Sequence, residues 1–241
     1  MGTPQNNIVI AGVGPGLGAA LARKFASHGY NIGLLARNHE YLNQLVDEMN
    51  KDKQIALALP TDLMDPIQIE SAFQQFTNAF GTVDILINHA SGSFWKSVEE
   101  ISPEEFEISW RIGTLSALLC SQKVIPDMLK KASGNIIFTG ATSAIRGRKG
   151  AVDFSSSQFG RRGLADAMAR ELWPQGIHVS HVIIDGIIDT NRVRKMHALE
   201  PEDPLMSAED IAQNYWNLVH QPRSSWAFEI AIRPYNEAFF E

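Results

Sequence analysis

The amino-acid sequence predicts an α/β fold in which a doubly wound parallel sheet forms a single domain. Short apolar runs rich in β-branched residues alternate with helical patterns from end to end of the chain. This alternation is typical of parallel strands joined by right-handed helical crossovers, with helices on both faces of the sheet. The 241 residues show no composition break that would mark a second domain. We therefore assign 1–241 to one unit, with a polar loop and C-terminal region at about 190–241.

The first half of the chain predicts four strands with helices between them. The apolar runs place strands at 8–11, 32–36, 55–59 and 83–87, and helical patterns cover about 17–28, 40–50 and 67–80. Asp65 and Pro66 predict the start of the third helix. An Asp side chain at the N-cap accepts hydrogen bonds from free backbone N–H groups, and Pro at the first helical position has no N–H to lose.

The second half continues the alternation. The sequence Ser102-Pro103-Glu104-Glu105 is a capping box that opens a helix predicted to continue to about Cys120, and we take Pro126 as the end of this helical region. Later strands are predicted at 136–139, 179–184 and 227–232. Between them lie a helix over about 155–172 and a second helix capped by Ser207.

Composition excludes several classes of function. Lys plus Arg total 21 against 27 Asp plus Glu, a net charge of −6, and no basic run is longer than Arg146-Gly147-Arg148-Lys149, which argues against nucleic-acid binding. The single cysteine, Cys120, excludes an internal disulfide and fits a reducing compartment. A polar N-terminus and the lack of any apolar run near the roughly 18 residues of a membrane span predict a soluble, cytoplasmic protein that does not bind a membrane. No His, Cys or carboxylate spacing predicts a metal site.

A glycine-rich turn follows the first strand. Gly12, Gly16 and Gly18 follow that strand and open the helix that begins at about Leu17. Glycines let the backbone turn tightly and approach a pyrophosphate, and the free N–H groups at the helix N-terminus favour its negative charge. The alternative is a glycine-rich turn without a ligand. The strand–turn–helix context favours the nucleotide site.

Several segments in the expected order resemble one family. The matching segments are Gly12, Gly16 and Gly18 in a GxxxGxG pattern with Ala11 for its leading Thr, Asp62 after the third strand, Asn88-His89-Ala90-Ser91 against NNAG, and Asp185 to Thr190 against PGxxxT with Asp for Pro. The chain thus resembles the short-chain dehydrogenase/reductase family over nearly its whole length. The resemblance implies a Rossmann fold, a nicotinamide cofactor, a small-molecule substrate bound under a loop at about 192–204, and a homodimer or homotetramer. It implies cofactor contacts at Gly12, Gly16, Leu17, Gly18, Arg37, Asp62, Leu63, Asn88, Ala90, Gln158, Gly186, Ile188 and Thr190.

The end of the second strand predicts a preference for NADP(H) over NAD(H). An acidic residue there would bind the 2′-hydroxyl of the adenosine ribose and repel a 2′-phosphate. This chain has Ala36-Arg37-Asn38, with no carboxylate before Glu40. The Arg37 guanidinium can pair with a 2′-phosphate through charge-assisted hydrogen bonds. The alternative is a solvated Arg without a ligand.

The catalytic tetrad that the resemblance implies is replaced at all four positions. The positions of the family's Asn, Ser, Tyr and Lys fall on Gly113, Ala141, Phe154 and Gln158. In a typical member the Tyr hydroxyl protonates the carbonyl oxygen as hydride arrives, and the Lys ammonium lowers the pKa of that Tyr. Phe has no proton to give, and Gln has no charge. No Tyr-x-x-x-Lys occurs anywhere in the sequence, so this conclusion does not depend on the alignment.

Nearby polar residues are candidates to replace the missing acid. Ser143 lies two residues beyond Ala141, where strand alternation would return its side chain to the same face. Ser155 adjoins Phe154, and His89 follows a strand end near the expected nicotinamide. For each there is a structural alternative, namely a loop hydroxyl, a helix N-cap (Ser155, or Asp153 nearby) or a structural His.

Two hypotheses of different class therefore remain. One is a nonstandard NADP-dependent oxidoreductase, in which water, the substrate or a substitute residue provides the proton. The other is a catalytically silent cofactor-binding protein that acts as a sensor or partner subunit. The glycine turn supports cofactor binding under both, and only the analogy with the family favours the oxidoreductase.

Overall fold

A seven-stranded parallel sheet organises the chain. The computed structural model describes residues 7–51, 55–196 and 203–236. The strands are β1 (Asn7–Ala11), β2 (Asn31–Ala36), β3 (Ile55–Pro60), β4 (Ile85–Asn88), β5 (Gly134–Ala141), β6 (Ile177–Ile184) and β9 (Glu229–Ile232), in the order β3-β2-β1-β4-β5-β6-β9. Two short strands, β7 (Ile187–Ile188) and β8 (Leu205–Met206), pair separately. The predicted α/β class and doubly wound sheet are confirmed.

Helices cover both faces of the sheet. They are α1 (Leu17–Ala26), α2 (His39–Lys51), α3 (Pro66–Phe80), α4 (Pro103–Trp110), α5 (Ser116–Lys131), α6 (Val152–Leu172), α7 (Asn191–Met196) and α8 (Ala208–Val219). Successive strand residues point to opposite faces. Ile8 and Ile10 accordingly pack in the apolar cluster under α1, α2 and α8, and Val9 and Ala11 pack in the cluster under α3, α5 and α6.

Three predicted helix caps are confirmed. The Asp65 carboxylate accepts hydrogen bonds from the N–H groups of Ile67 and Gln68 at the start of α3. Ser102 and Glu105 form the capping box of α4 reciprocally, and the Ser207 hydroxyl accepts from the N–H of Asp210 in α8. In the part of the chain that the structure describes, no helix is both long and apolar enough to cross a membrane.

The helical region after the capping box departs from the prediction. A π-helical segment (Arg111–Leu115) interrupts it, and α5 then continues to Lys131. The predicted ends at Cys120 and Pro126 were both wrong, since Pro126 lies inside α5. Pro inside a helix costs about 3 kcal/mol. Burial of Val124 and Met128 against the sheet offsets that cost. Local sequence signals do not report this burial.

The start of α6 also differs from the prediction. The helix begins at Val152, and no side chain caps it, so the N-cap roles considered for Asp153 and Ser155 are wrong. Asp153 lies in the first turn and is fully buried. The final strand β9 begins at Glu229, two residues later than predicted, because the Ala227 carbonyl accepts from the Ser180 hydroxyl instead of joining the ladder.

One carboxylate, that of Glu229, connects the edge strand β9 to α6 and β6 by hydrogen bonds. Glu229 accepts two hydrogen bonds from the Arg162 guanidinium of α6, at 2.6 and 3.0 Å, and one from Nδ1 of His181 on β6, at 2.9 Å. The hydrogen bond from His181, with those from Arg162, lowers the pKa of Glu229 from 4.5 to about 2 although partial burial opposes the shift. The ionised carboxylate therefore stabilises the folded state.

We expect Glu229→Gln to lower the free energy of unfolding at pH 7 by about 1–3 kcal/mol, the usual worth of hydrogen bonds to a charged group. Because the folded-state pKa lies below the unfolded one, this contribution is fully present above about pH 4.5 and is lost as the pH falls through about 2. Urea denaturation between pH 3 and 8 measures the difference. The exposed Glu171→Gln is the control. A difference that does not shrink at low pH would contradict this account.

Candidate active site

Glycines bring two strand ends into close contact at the predicted nucleotide turn. Gly12 has φ +104°, and its N–H donates to the Leu35 carbonyl at 2.8 Å. A Cβ at Gly12 would collide with the backbone of Ala90, which follows β4. Gly16 has φ +152° and precedes α1, where no side chain caps the free N–H groups. The turn therefore needs glycine, and it leaves a helix N-terminus open to an anion.

This turn forms one wall of a cleft of about 580 Å³ at the carboxyl ends of the strands. In doubly wound sheets, ligands bind there, where the strand order reverses, and here the reversal lies between β1 and β4. Ten residues predicted to contact a cofactor line the cleft: Gly12, Gly16, Leu17, Gly18, Arg37, Asp62, Leu63, Ala90, Ile188 and Thr190. Gly186 lines a neighbouring cavity, and Asn88 and Gln158 are buried, each 2% exposed.

The cleft has a cationic end. The exposed Arg37 lines it beside Ala36 and Asn38, and Arg37 forms no ion pair with a carboxylate in the described ranges 7–51, 55–196 and 203–236. Arg192 adds a second cation that the sequence analysis missed. The Asp62 carboxylate, in contrast, accepts from the N–H of Met64 at 3.0 Å. This end of the cleft therefore favours a negatively charged ligand.

A buried arginine of α6 connects three other segments beside the cleft by hydrogen bonds. Arg161 of α6 is 1% exposed. Its guanidinium donates to the Gly113 carbonyl at 2.7 Å, to the Thr139 carbonyl at 2.6 Å and to the Ala90 carbonyl. Burial lowers the pKa of Arg161 to about 10, so it remains charged at neutral pH. It joins α6, β5, the π-helical segment and the loop after β4, and in the sequence nothing distinguishes it from the exposed arginines of α6.

The four positions aligned with the tetrad differ in their surroundings. Ala141 and the half-buried Phe154 line a second cavity, of about 670 Å³, next to the cleft. The buried amide oxygen of Gln158 has no hydrogen-bond partner in the described part of the chain. At Gly113 a Cβ would collide with the Ser157 hydroxyl. Any larger side chain at Gly113 would therefore displace Ser157.

The three residues considered as replacements for the missing acid lie in different surroundings. Ser143 lines the second cavity with Ala141 and Phe154, although a 3₁₀ turn (Thr142–Ala144) places it there and not strand alternation. The Ser155 hydroxyl is 8% exposed and accepts from the N–H of Arg148 at 3.0 Å. His89 lines the cofactor cleft instead. Of the three, only Ser143 has its side chain facing the cavity that Phe154 lines and no hydrogen-bond partner in the ranges described.

The state of His89 follows from its surroundings. Its Nδ1 is buried and has no partner among the described residues. Burial, with a smaller contribution from the Arg161 charge, lowers the pKa of His89 to about 4. His89 is therefore neutral at physiological pH and offers an imidazole N–H or lone pair, not an imidazolium proton.

We expect Arg161→Met to lower the free energy of unfolding by at least about 3 kcal/mol, because the variant leaves three carbonyls without a charged donor and each such hydrogen bond is worth about 1.5–3 kcal/mol. Differential scanning calorimetry measures the change. Arg170→Met is the matched control, since the side chain of Arg170 is 77% exposed and pairs only within its helix. Equal losses in both variants would contradict the role given to Arg161.

Known proteins share this fold and sequence pattern. A family model described as short chain dehydrogenase matches residues 6–200. The 3-ketodihydrosphingosine reductase of Bos taurus is 31% identical over 182 residues, which cover 73% of this chain and 55% of that protein, so the chain spans about half the length of this relative. An uncharacterized oxidoreductase of Staphylococcus aureus strain USA300 is 25% identical over 227 residues, with 94% and 96% covered.

Solved structures agree with the family model. A short-chain dehydrogenase from Rhodopseudomonas palustris superposes with a TM-score of 0.82 at 30% identity, covering 95% of this chain and 99% of that one. A metagenomic short-chain oxidoreductase, solved in complex with NADP, shares the fold with a TM-score of 0.83 at 24% identity, covering 95% and 97%. The glycine turn, the strand order and these matches together place the chain in the short-chain dehydrogenase/reductase family of oxidoreductases.

Proposed function

We propose that this protein binds NADP(H) in the 580 Å³ cleft and transfers hydride between it and a small organic substrate in the adjacent cavity, without the usual Tyr/Lys pair. The observation that carries the proposal is the intact glycine turn facing a cationic cleft. The two cavities adjoin, since Ile188 lines the cleft and Ile187 lines the cavity. A cofactor in one is therefore next to a ligand in the other.

The residues of the cleft fit a dinucleotide phosphate. Gly12, Gly16 and the uncapped start of α1 suit a pyrophosphate, and the exposed Arg37 suits a 2′-phosphate. The buried amide oxygen of Gln158 and that of Asn88 lack partners within the described chain. Buried polar atoms without partners are costly, and a ligand with hydroxyl or amide donors would satisfy them. These observations support cofactor binding at this end of the sheet.

The chemistry differs from that of a typical family member because Phe154 has no hydroxyl that could act as a general acid. When bound, NADPH supplies a hydride. The Ser143 hydroxyl would donate a hydrogen bond to an oxygen or nitrogen of the substrate, and the Phe154 and Trp95 rings would provide apolar surface beside it. The proton comes from water, from the substrate or through Ser143. Reduction of an activated C=C bond or an imine needs less acid catalysis than reduction of a ketone, and we propose substrates of those classes.

We expect tighter binding of NADPH than of NADH, because Arg37 has no competing carboxylate at Ala36. Titration calorimetry with both cofactors measures this preference. A charge-assisted hydrogen bond is worth about 1.5–3 kcal/mol, so Arg37→Ala should lose about 10–100-fold in affinity for NADPH and little for NADH. Arg170→Ala is the control, since the side chain of Arg170 is 77% exposed and does not line the cleft. Equal affinities for both cofactors, or a preference unchanged in Arg37→Ala, would refute this assignment.

We expect ordinary ketones and secondary alcohols to react very slowly, since general acid catalysis is worth about 10²–10⁴-fold and its donor is missing. The double variant Phe154→Tyr/Gln158→Lys should gain carbonyl reductase activity, measured by the absorbance of NADPH. Phe154→Tyr alone is the control, because the Tyr without the Lys keeps its ordinary pKa. Fast carbonyl reduction by the wild type would overturn the proposal. A folded double variant that binds NADPH but gains nothing would favour the silent cofactor-binding hypothesis.

A further inference from the structure

One loop brings three cations to the second cavity. Arg146, Arg148 and Lys149 follow the 3₁₀ turn after β5, and all three line the 670 Å³ cavity, here called the basic cavity. All three are exposed, and none pairs with a carboxylate in the ranges 7–51, 55–196 and 203–236. In the sequence this run only argued against nucleic-acid binding. In the fold, the three cations line the same cavity as Phe154.

Among the described residues, one carboxylate lines the basic cavity, and a cation pairs with it. Asp185 accepts from the Thr142 hydroxyl at 2.5 Å and pairs with Arg233 at 3.3 Å. Its charge is therefore offset by Arg233, which does not line the cavity. The three loop cations remain as the net charge of the cavity, and three positive charges near one another repel unless an anion lies among them.

An aromatic wall faces these cations. The ring of Trp95 is 5.1 Å from that of Phe154, centroid to centroid, and the Arg148 guanidinium lies 5.4 Å from the Trp95 ring. Trp95 is 52% exposed, and its φ of +54° is rare for a bulky residue. Such strain persists only where the surrounding structure imposes it, and it concentrates at functional sites.

The strained conformation has an identifiable support. The buried Asp153 accepts hydrogen bonds from the N–H of Phe94 at 2.8 Å, the Ser93 hydroxyl at 3.2 Å and the Ser109 hydroxyl at 2.6 Å. Burial alone would raise the pKa of Asp153, but these hydrogen bonds lower it overall, which keeps the carboxylate ionised. Asp153 thus fixes the segment immediately before Trp95 and holds the indole over Phe154.

We propose that the basic cavity binds a substrate that carries an anionic group, a carboxylate or a phosphate, on an apolar body. This rests on the proposed function, because it assigns the substrate class of the same site. Guanidinium and ammonium groups bind either anion, and Arg binds both in a bidentate manner. The Trp95 and Phe154 rings offer apolar surface for the body, and about 670 Å³ is within the usual range for small-molecule sites.

An NMR titration of the full chain, without cofactor, tests this inference at the site itself. The indole N–H signal of Trp95 is assigned by its loss in Trp95→Phe. Benzoate, phenyl phosphate and the neutral methyl benzoate are then titrated in turn. We expect both anions to shift the Trp95 signal saturably, and methyl benzoate to bind at least about 10-fold more weakly, since it cannot accept charge-assisted hydrogen bonds at full strength. The ratio of the two anion affinities shows whether carboxylate or phosphate is preferred.

Matched double variants locate the binding. Arg146→Ala/Arg148→Ala should weaken both anions by about 10-fold or more. Lys130→Ala/Arg170→Ala removes the same charge from side chains that are 74% and 77% exposed elsewhere, and it should change nothing. Equal binding of the neutral ester, an equal loss in both double variants, or shifts of other indoles without Trp95 would overturn the inference. NADPH affinity, measured separately, distinguishes this failure from failure of the cofactor proposal.

Discussion

The site depends on a buried guanidinium that pairs with no carboxylate in the described ranges of the chain. A guanidinium loses much hydration energy on burial, and here three carbonyls replace the water around Arg161. Those carbonyls belong to the loop after β4, to β5 and to the π-helical segment. The same interaction therefore fixes Ala90, which lines the cleft, and the part of β5 that precedes Ala141. The geometry of this interaction is rigid because the planar guanidinium presents its N–H donors in fixed directions.

The residues at the positions aligned with the family's tetrad fit this arrangement. Gly113 has no room for a Cβ beside Ser157, and its carbonyl is already bound by Arg161. Gln158 is buried and neutral one helical turn before the guanidinium, where a Lys ammonium would add a second buried cation. Phe154 packs against Trp95. In the proposed mechanism these residues provide no group of the usual proton relay. The site combines the buried Arg161 with an aromatic wall and with the exposed cations Arg146, Arg148 and Lys149 of the basic cavity.

Sequence reasoning was most reliable where local physics decides the outcome. The Asp65 and Ser207 caps and the capping box at Ser102 depend on neighbouring residues, and all three were predicted correctly. The extension of α5 through Pro126 and the π-helical segment depend on packing against the sheet, which spacing does not reveal. Arg161 and Trp95 were missed for the same reason, since partners distant in the sequence decide the burial of one and the conformation of the other.

The central claim is that a site organised by Arg161, and not by a Tyr/Lys pair, accepts NADPH without rearrangement. A crystal structure of the protein with NADPH tests it most directly. We expect the Arg161 guanidinium to keep its three carbonyl partners and the 2′-phosphate to lie within hydrogen-bonding distance of Arg37. A bound structure in which Arg161 leaves those carbonyls to contact the cofactor, or in which the 2′-phosphate lies away from Arg37, would contradict the account.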